Sequence, residues 1–295
     1  MKGFKFLGVI LGLLFSLVIS LSSVYPQEVT TIRDVLVSPD ELVRMVDDPN
    51  VRIIDARPPE KYKLSHIKNA INIWHADLYD PTALKGIILS PTELEKKIRS
   101  YGINNENIVV IYCTKGKFAG RIFWILDYLG HKNLKMLNGG FGIWRRKNYP
   151  VTTEVRSFGL GNFAANPDPS KIATKNYVLA HLSDPDVVII DARTAAEYAG
   201  KITMTERAGH IKGAINIDWR ENVTRSGQFK PVEELKRIYE AKGVTKDKEA
   251  IGYCCTSVRA GNTYLVLRYL LGYPMVRVYD GAFMEWGTDS TTPIE

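Results

Sequence analysis

The chain has 295 residues, more than one compact domain usually holds, so its length predicts two domains. Hydrophobic residues make up 45% and charged residues 24% of the sequence, and no low-complexity tract occurs, which excludes a disordered or fibrous protein. The formal net charge of +7 is spread along the chain without an aromatic-interleaved Lys/Arg stripe, so we predict attraction to small anions and no binding to nucleic acid.

The N-terminal segment has the layout of a secretory signal. Lys2 and Lys5 precede an uncharged apolar run of 16 residues, 6–21, and small residues follow it. As a helix this run spans roughly 24 Å, short of the hydrocarbon core of about 30 Å. We therefore predict a signal peptide over residues 1–22 and export to the periplasm or the extracellular space, with membrane association only if this segment stays uncleaved.

The remaining sequence contains an internal duplication. The stretch VRIIDARPPEKYKLSHIKNAINI from Val51 returns as VVIIDARTAAEYAGKITMTERAGHIKGAINI from Val187, with eight extra residues in the second copy. Further along, IVVIYCTKGKFAG from Ile108 matches AIGYCCTSVRAG from Ala250, which places Cys113 opposite Cys254. We predict an N-terminal domain over residues 32–155, a linker rich in Gly, Asn and Pro over 156–171, and a C-terminal domain over 172–295.

Within each copy, short apolar runs alternate with helical patterns. In the first copy, SPTELEKKIRSYG predicts a helix with Ser90 as N-cap, Pro91 at its first position and Glu93 closing a capping box. In the second copy, DVVIID, AINI, AIGYC and VRVYD predict buried strands, and two helices end at Gly243 and Gly272. The alternation predicts an α/β fold in which each domain has a mostly parallel sheet flanked by helices.

In such folds the ligand site lies beyond the carboxyl ends of the strands, where Cys113 and Cys254 are expected. The chain has three cysteines, and outside the cytoplasm an odd count leaves at least one of them unpaired. A disulfide between the adjacent Cys254 and Cys255 would be strained, which makes it an uncommon structural crosslink. We therefore expect a reactive thiol at this position.

A thiol at a strand-to-helix turn faces the first free N–H groups of the helix, which favour the thiolate, the nucleophilic form. The loop CCTSVR, residues 254–259, can wrap its amides around the sulfur and place Arg259 nearby. A guanidinium suits the paired oxygens of a sulfonate, sulfate or phosphate.

Several sequence motifs of the second copy, taken together, resemble those of the two-domain rhodanese sulfurtransferases. They are Asp191-Ala-Arg193, Gly209-His210-Ile211, Tyr253-Cys254 with the loop to Arg259, and Tyr279-Asp280-Gly281 through Trp286. The resemblance implies that Cys254 is the catalytic nucleophile, which takes the outer sulfur of thiosulfate or 3-mercaptopyruvate as a persulfide. It also implies a thiol, cyanide or protein acceptor, and no metal or organic cofactor. The implied donor-binding residues are Arg193, Cys255, Thr256, Ser257, Val258 and Arg259.

Some residues depart from the family pattern or allow two readings. Cys255 stands where a small polar or basic residue is usual, and it is either an incidental residue or a thiol that resolves the persulfide. Ser257 stands where Gly is common. Cys113 is a candidate second nucleophile, although Phe118 occupies the position that matches Arg259. Arg193 either binds the donor or ties neighbouring loops together. Scaffold roles are expected for Asp55, His66, Asp191 and His210.

Two other functions compete with sulfur transfer. Cysteine-dependent phosphatases and arsenate reductases also use a cysteine-to-arginine loop at a helix start, but their Cys-x5-Arg loop is one residue longer than the Cys254–Arg259 loop, which encloses four residues. The second alternative is an exported module that carries sulfur or senses redox state without turnover. The mild basic charge and the adjacent thiols are compatible with it.

Overall fold

A computed structural model describes Met1, Gly3 and residues 35–295. Apart from Met1 and Gly3, the signal peptide predicted over residues 1–22 lies outside the described residues. In the described part of the chain, no helix combines the length and the apolar character needed to cross a membrane.

The first half of the molecule contains a five-stranded parallel sheet with the strand order β1-β6-β5-β2-β4. A short antiparallel pair, β3 with β7, lies beside it. The strands are β1 Leu36–Val37, β2 Val51–Asp55, β3 His66–Ile67, β4 Ala70–Asn72, β5 Ile108–Tyr112, β6 Leu134–Leu137 and β7 Val151–Thr152. β2 and β5 are nearly continuous in Val and Ile because helices cover both faces of the sheet.

Five α-helices and one short 3-10 helix at His75–Leu78 connect these strands. The α-helices are α1 Pro39–Met45, α2 Pro59–Leu64, α3 Pro91–Ser100, α4 Lys117–Tyr128 and α5 Gly140–Arg146. The predicted start of α3 is confirmed, because Ser90 and Glu93 form a capping box and Pro91 holds the first helical position. Cys113 directly follows β5 and precedes α4.

The second half repeats this arrangement, with a five-stranded parallel sheet in the order β10-β9-β11-β12-β8. Its strands are β8 Ile172–Ala173, β9 Val187–Asp191, β10 Ile215–Asn216, β11 Glu249–Tyr253 and β12 Val276–Tyr279. Its α-helices are α6 Lys175–Ala180, α7 Ala195–Tyr198, α8 Val232–Glu240, α9 Ala260–Leu265 and α10 Ala282–Thr288, with 3-10 helices at Pro169–Lys171 and Trp219–Asn222. α9 continues as a π-helical turn, Val266–Leu270. The predicted fold class is confirmed for both halves; the domain boundaries drawn from the sequence stay a prediction.

The two halves meet where α4 crosses α9. A Cβ atom added at Gly120 would lie 2.5 Å from the backbone nitrogen of Asn262, and one added at Gly261 would lie 2.5 Å from the backbone of Gly120. One hydrophobic cluster contains residues of both helices, while two further clusters each lie within one half. The backbones therefore touch at a pair of glycines, and this contact sets the spacing of the two halves.

A side chain at the helix crossing tests this account of the packing. Gly261→Ala is expected to lower the free energy of unfolding by about 1–3 kcal/mol, because the new methyl group overlaps backbone atoms of α4, which a rotamer change does not relieve. Urea denaturation measures the effect.

Gly142→Ala in α5 is the matched control, since its added Cβ meets its nearest neighbour only at 3.8 Å. This variant is expected to retain or slightly exceed wild-type stability. Equal stability of the two alanine variants would contradict the packing account.

Candidate active site

The loop 254–259 lies at the carboxyl end of β11, between this strand and α9. Cys254 is 1% exposed, and the backbone N–H of Arg259 donates a hydrogen bond of 3.3 Å to its Sγ. The guanidinium of Arg259 also lies beside this sulfur: burial lowers the pKa of Arg259, but Glu197 and Cys254 together raise it above its usual value. The sulfur thus faces a backbone donor and a permanent cation.

Ser257 gives the loop its shape. Its φ of +53° lies in the left-handed region, which non-glycine residues rarely adopt. Its hydroxyl donates a hydrogen bond to the backbone oxygen of Tyr279, at the end of β12. Gly116, three residues after Cys113, has a φ of +91° in the other loop. Both loops therefore have a left-handed residue three positions after the cysteine, serine in one and glycine in the other.

Arg259 forms a two-pronged ion pair with Glu197, a residue that the sequence reasoning did not select. The two guanidinium nitrogens Nη1 and Nη2 each donate to one carboxylate oxygen at 2.7 Å. Thr194 caps α7 and also binds Glu197, closing a capping box. Burial raises the pKa of Glu197, but the hydrogen bonds from Arg259 and Thr194 outweigh burial and bring it to about 2.

The internal duplication of the sequence contains a signal that could have identified the pair of Glu197 and Arg259. Lys61 occupies the position of Glu197 in the first copy, and Phe118 occupies that of Arg259. Both members of the pair therefore differ between the copies, as expected of side chains that contact each other.

Arg193 is buried and points into its own half rather than into solvent. Its guanidinium donates to both carboxylate oxygens of Asp191 and, at 2.7 Å, to the backbone oxygen of Gly209. The ring centroid of Phe283 lies 3.9 Å from the guanidinium carbon. These contacts tie three loops together, which is the second of the two readings above; a role for Arg193 in donor binding stays a prediction.

The remaining predicted residues of the loop differ in exposure. Cys255 is buried, its Sγ lies 3.7 Å from Sδ of Met204, and burial together with Cys254 raises the pKa of Cys255 to about 11. Val258 is buried as well. Thr256 is partly exposed and lies against Gly86 of the first half, where an added Cβ atom would come within 2.9 Å of Thr256 Cβ.

Cys113 occupies an equivalent loop with different surroundings. The N–H of Gly116 donates to its Sγ at 3.1 Å, and Cys113 is 1% exposed. Burial raises the pKa of this thiol, against the opposing effect of nearby backbone amides. Where the other loop has Arg259, Phe118 packs against the rings of Trp74 and His75. The backbone cradle is retained here without the guanidinium–carboxylate pair.

All three cysteines are free thiols. Within residues 35–295, His, Cys, Asp and Glu side chains form no cluster of three that could hold a metal ion. Both ring nitrogens of His66 lie within hydrogen-bond distance of backbone oxygens, those of Tyr62 and Glu154, a scaffold arrangement.

Comparison with known proteins gives consistent matches over most of the chain. A model of the rhodanese-like domain matches twice, over residues 38–147 and 174–289. The sulfur carrier protein TtuD of Thermus thermophilus is 37% identical, over 88% of this chain and 96% of its own. A thiosulfate sulfurtransferase of Pseudomonas aeruginosa is 31% identical, again over 88% of this chain and 96% of its own. Among solved structures, the 3-mercaptopyruvate sulfotransferase SseA of Escherichia coli matches with a TM-score of 0.78 and 31% identity, over 86% of this chain and 99% of that one.

The ion pair at the loop predicts an acid-sensitive contribution to stability. The pKa of Glu197 in the folded protein, about 2, lies below the ordinary value of 4.5. Ionised Glu197 therefore stabilises the fold above about pH 4.5, and this contribution is lost as the pH falls toward about 2. In Glu197→Gln, the free energy of unfolding should fall less than in the wild type between about pH 5 and about pH 2.

Urea denaturation at several pH values measures this difference. Glu233→Gln, which removes one exposed carboxylate from α8, is the control and should follow the wild-type pH dependence. Identical pH profiles for Glu197→Gln and the wild type would refute the assignment.

Proposed function

The chain belongs to the rhodanese-like family, and on this basis we propose that this sulfurtransferase carries its sulfur on Cys254. The observation that carries the proposal is the geometry of the loop 254–259. A sulfur at a strand end accepts a backbone hydrogen bond from Arg259 and lies beside the guanidinium of the same residue. Both contacts favour a negative charge on the sulfur, as a thiolate before the reaction and as a persulfide after it.

The proposed reaction has two steps. In the first, the Cys254 thiolate attacks the outer sulfur of the donor; a new S–S bond forms, and the donor's own bond to that sulfur breaks. From thiosulfate, sulfite leaves with the electron pair. In the second step, a nucleophilic acceptor attacks the outer sulfur of the persulfide, and the Cys254 thiolate leaves. Such covalent two-step chemistry predicts ping-pong kinetics.

The relatives support two classes of sulfur donor and, separately, the role of a sulfur carrier. The name of the Pseudomonas aeruginosa relative supports thiosulfate, and the structure from Escherichia coli supports 3-mercaptopyruvate. We propose a small anionic sulfur donor, with cyanide or a thiol as acceptor. The name of the Thermus thermophilus relative favours a second candidate function, in which the protein delivers its sulfur to another protein as a carrier.

Export is a further proposal that rests on the sequence of residues 1–22 alone. Fractionation of expressing cells tests it, since an exported protein appears outside the cytoplasm and without this segment. Recovery of the full-length chain in the cytoplasm would argue against export.

The central experiment places the sulfur on a residue. After treatment with thiosulfate, mass spectrometry should show a gain of about 32 Da, one sulfur atom, on the peptide that contains Cys254. Cys254→Ser should lose this gain and the formation of thiocyanate from thiosulfate and cyanide, because the nucleophile is gone. Cys113→Ser, the matched variant, should keep most of the activity, since its loop has Phe118 in place of Arg259.

Three outcomes separate the alternatives. Release of phosphate from an aryl phosphate without thiocyanate formation would favour a phosphatase. Loading of Cys254 without turnover to cyanide or thiols would favour the carrier function. Full activity in both cysteine variants would refute the enzymatic proposal.

A further inference from the structure

Arg121 is a buried arginine that the proposed chemistry does not use. It lies in α4 of the first half, and its side chain is 0% exposed. Its Nη2 donates at 2.6 Å to Oδ1 of Asp280 and at 2.6 Å to the backbone oxygen of Gly86. Asp280 directly follows β12 of the second half. A buried ion pair thus joins the two halves next to the loop 254–259.

The carboxylate of Asp280 also binds a second segment of the first half. Its Oδ2 accepts a hydrogen bond of 3.0 Å from the backbone N–H of Ile88. Two residues earlier, Gly86 lies directly against Thr256. Asp280 therefore holds both α4 and the loop 86–88 against the second half, at the point where this loop covers Thr256.

Residues on either side of Asp280 hold the loop 254–259 in place. Tyr279 accepts the hydrogen bond from the hydroxyl of Ser257 through its backbone oxygen. The backbone N–H groups of Phe283 and Met284 each donate at 2.9 Å, to the backbone oxygens of Cys254 and of its neighbour Cys255. Because the left-handed backbone of Ser257 is strained, the loop keeps its shape only while such neighbouring contacts hold it.

The corresponding contact at the Cys113 loop is neutral. Asn138 and Asn262 occupy the positions that match Asp280 and Arg121 in the duplicated sequence. Oδ1 of Asn138 accepts from the N–H of Phe229 at 2.9 Å, as Asp280 does from Ile88. Nδ2 of Asn262 has no hydrogen-bond partner among the residues that the structure describes. The charged version of the contact therefore supports the Cys254 loop and not the Cys113 loop.

Burial of the ion pair between Arg121 and Asp280 costs free energy of desolvation. Desolvation of two charges offsets much of their attraction, so a buried ion pair is weak evidence for stability. Within the described part of the chain, Nε and Nη1 of Arg121 also lack hydrogen-bond partners, which adds to this cost. A gain in stability is therefore a weak explanation for the pair, and its contacts beside the loop 254–259 suggest a role in positioning.

We infer that Arg121 is a positioning residue for sulfur transfer: through Asp280 it holds the loop 254–259 in the shape that directs the backbone N–H of Arg259 at the Cys254 sulfur. The inference rests on the proposed function of Cys254. It assigns to the first half, whose own cysteine loop lacks the arginine, a supporting part in the reactivity of the second half.

The test compares Arg121→Gln, Arg121→Lys and Lys171→Met by two measurements. The first is the pH profile of Cys254 alkylation by iodoacetamide, followed by mass spectrometry of its peptide; the second is kcat with thiosulfate and cyanide. Arg121→Gln should move the alkylation midpoint to higher pH and lower kcat by about tenfold to a hundredfold, because the backbone N–H of Arg259 no longer faces the sulfur. Arg121→Lys, which keeps the charge, should restore most of both.

Lys171→Met is the matched control, because Lys171 forms another ion pair between the halves, 2.8 Å from Asp127, with both side chains largely buried. It should lower the melting temperature while the alkylation midpoint and kcat stay at wild-type values. If Arg121→Gln does not fold, the double variant Arg121→Gln/Asp280→Asn replaces it, since its neutral pair resembles the Asn138 side of the molecule.

Wild-type alkylation and kcat in Arg121→Gln or in the double variant would overturn the inference. An equal shift of the alkylation midpoint in Lys171→Met would overturn it as well, because the effect would then follow from loosening of the interface. Alkylation needs no sulfur donor, so it decides the role of Arg121 even if Cys254 takes up no sulfur. The absence of sulfur on wild-type Cys254 refutes the proposed function separately.

Discussion

A buried sulfur that is to carry a negative charge, as proposed for Cys254, must find its hydrogen-bond donors inside the protein, and the loop 254–259 supplies one from its own backbone. Cys254 is buried, the backbone N–H of Arg259 donates to its sulfur, and interaction with Cys254 helps to raise the pKa of the Arg259 guanidinium, although burial lowers it. In this arrangement Ser257 lies in the left-handed region. The end of β12 and the start of α10 then hold the strained loop through backbone hydrogen bonds. The ends of β11 and β12, the start of α10 and the shape of the loop 254–259 thus together fix the surroundings of the Cys254 sulfur.

The duplication separates the contribution of the backbone from that of the charges. Both cysteines follow a central strand, both accept an N–H from their own loop, and both loops contain a left-handed residue. Only Cys254 has a guanidinium beside it, held by Glu197, and burial raises the pKa of Cys113 in spite of its amides. Backbone amides alone therefore leave the pKa of the buried Cys113 thiol raised. The Cys254 loop adds the Arg259 guanidinium, and the carboxylate of Glu197 fixes the direction of this cation.

Much of this could be predicted from the sequence, because it follows from local patterns. Val/Ile-rich strands that alternate with capped helices predicted the α/β fold. The alignment of Cys113 with Cys254 placed the candidate nucleophile at a strand end. The sequence reasoning missed Glu197 and the pair of Arg121 with Asp280, because each of these contacts joins residues far apart in the chain. Glu197 lies 62 positions before Arg259, and Arg121 lies 159 before Asp280. Likewise, a sequence pattern does not show that Gly120 meets Gly261, since that contact depends on how two helices cross.

The two adjacent thiols of the loop are unequal because their surroundings differ. Burial and the neighbouring Cys254 raise the pKa of Cys255 to about 11, so Cys255 is protonated near neutral pH and a poor nucleophile toward a persulfide. Its sulfur contacts Met204 instead, which belongs to the eight residues present only in the second copy. That segment is fastened at its other end by Arg207, which donates to the backbone oxygens of Trp286 and Thr292. Cys255 therefore contacts this insertion, whereas the first copy has Thr114 at the matching position and lacks the insertion; its part in the sulfur chemistry stays a prediction.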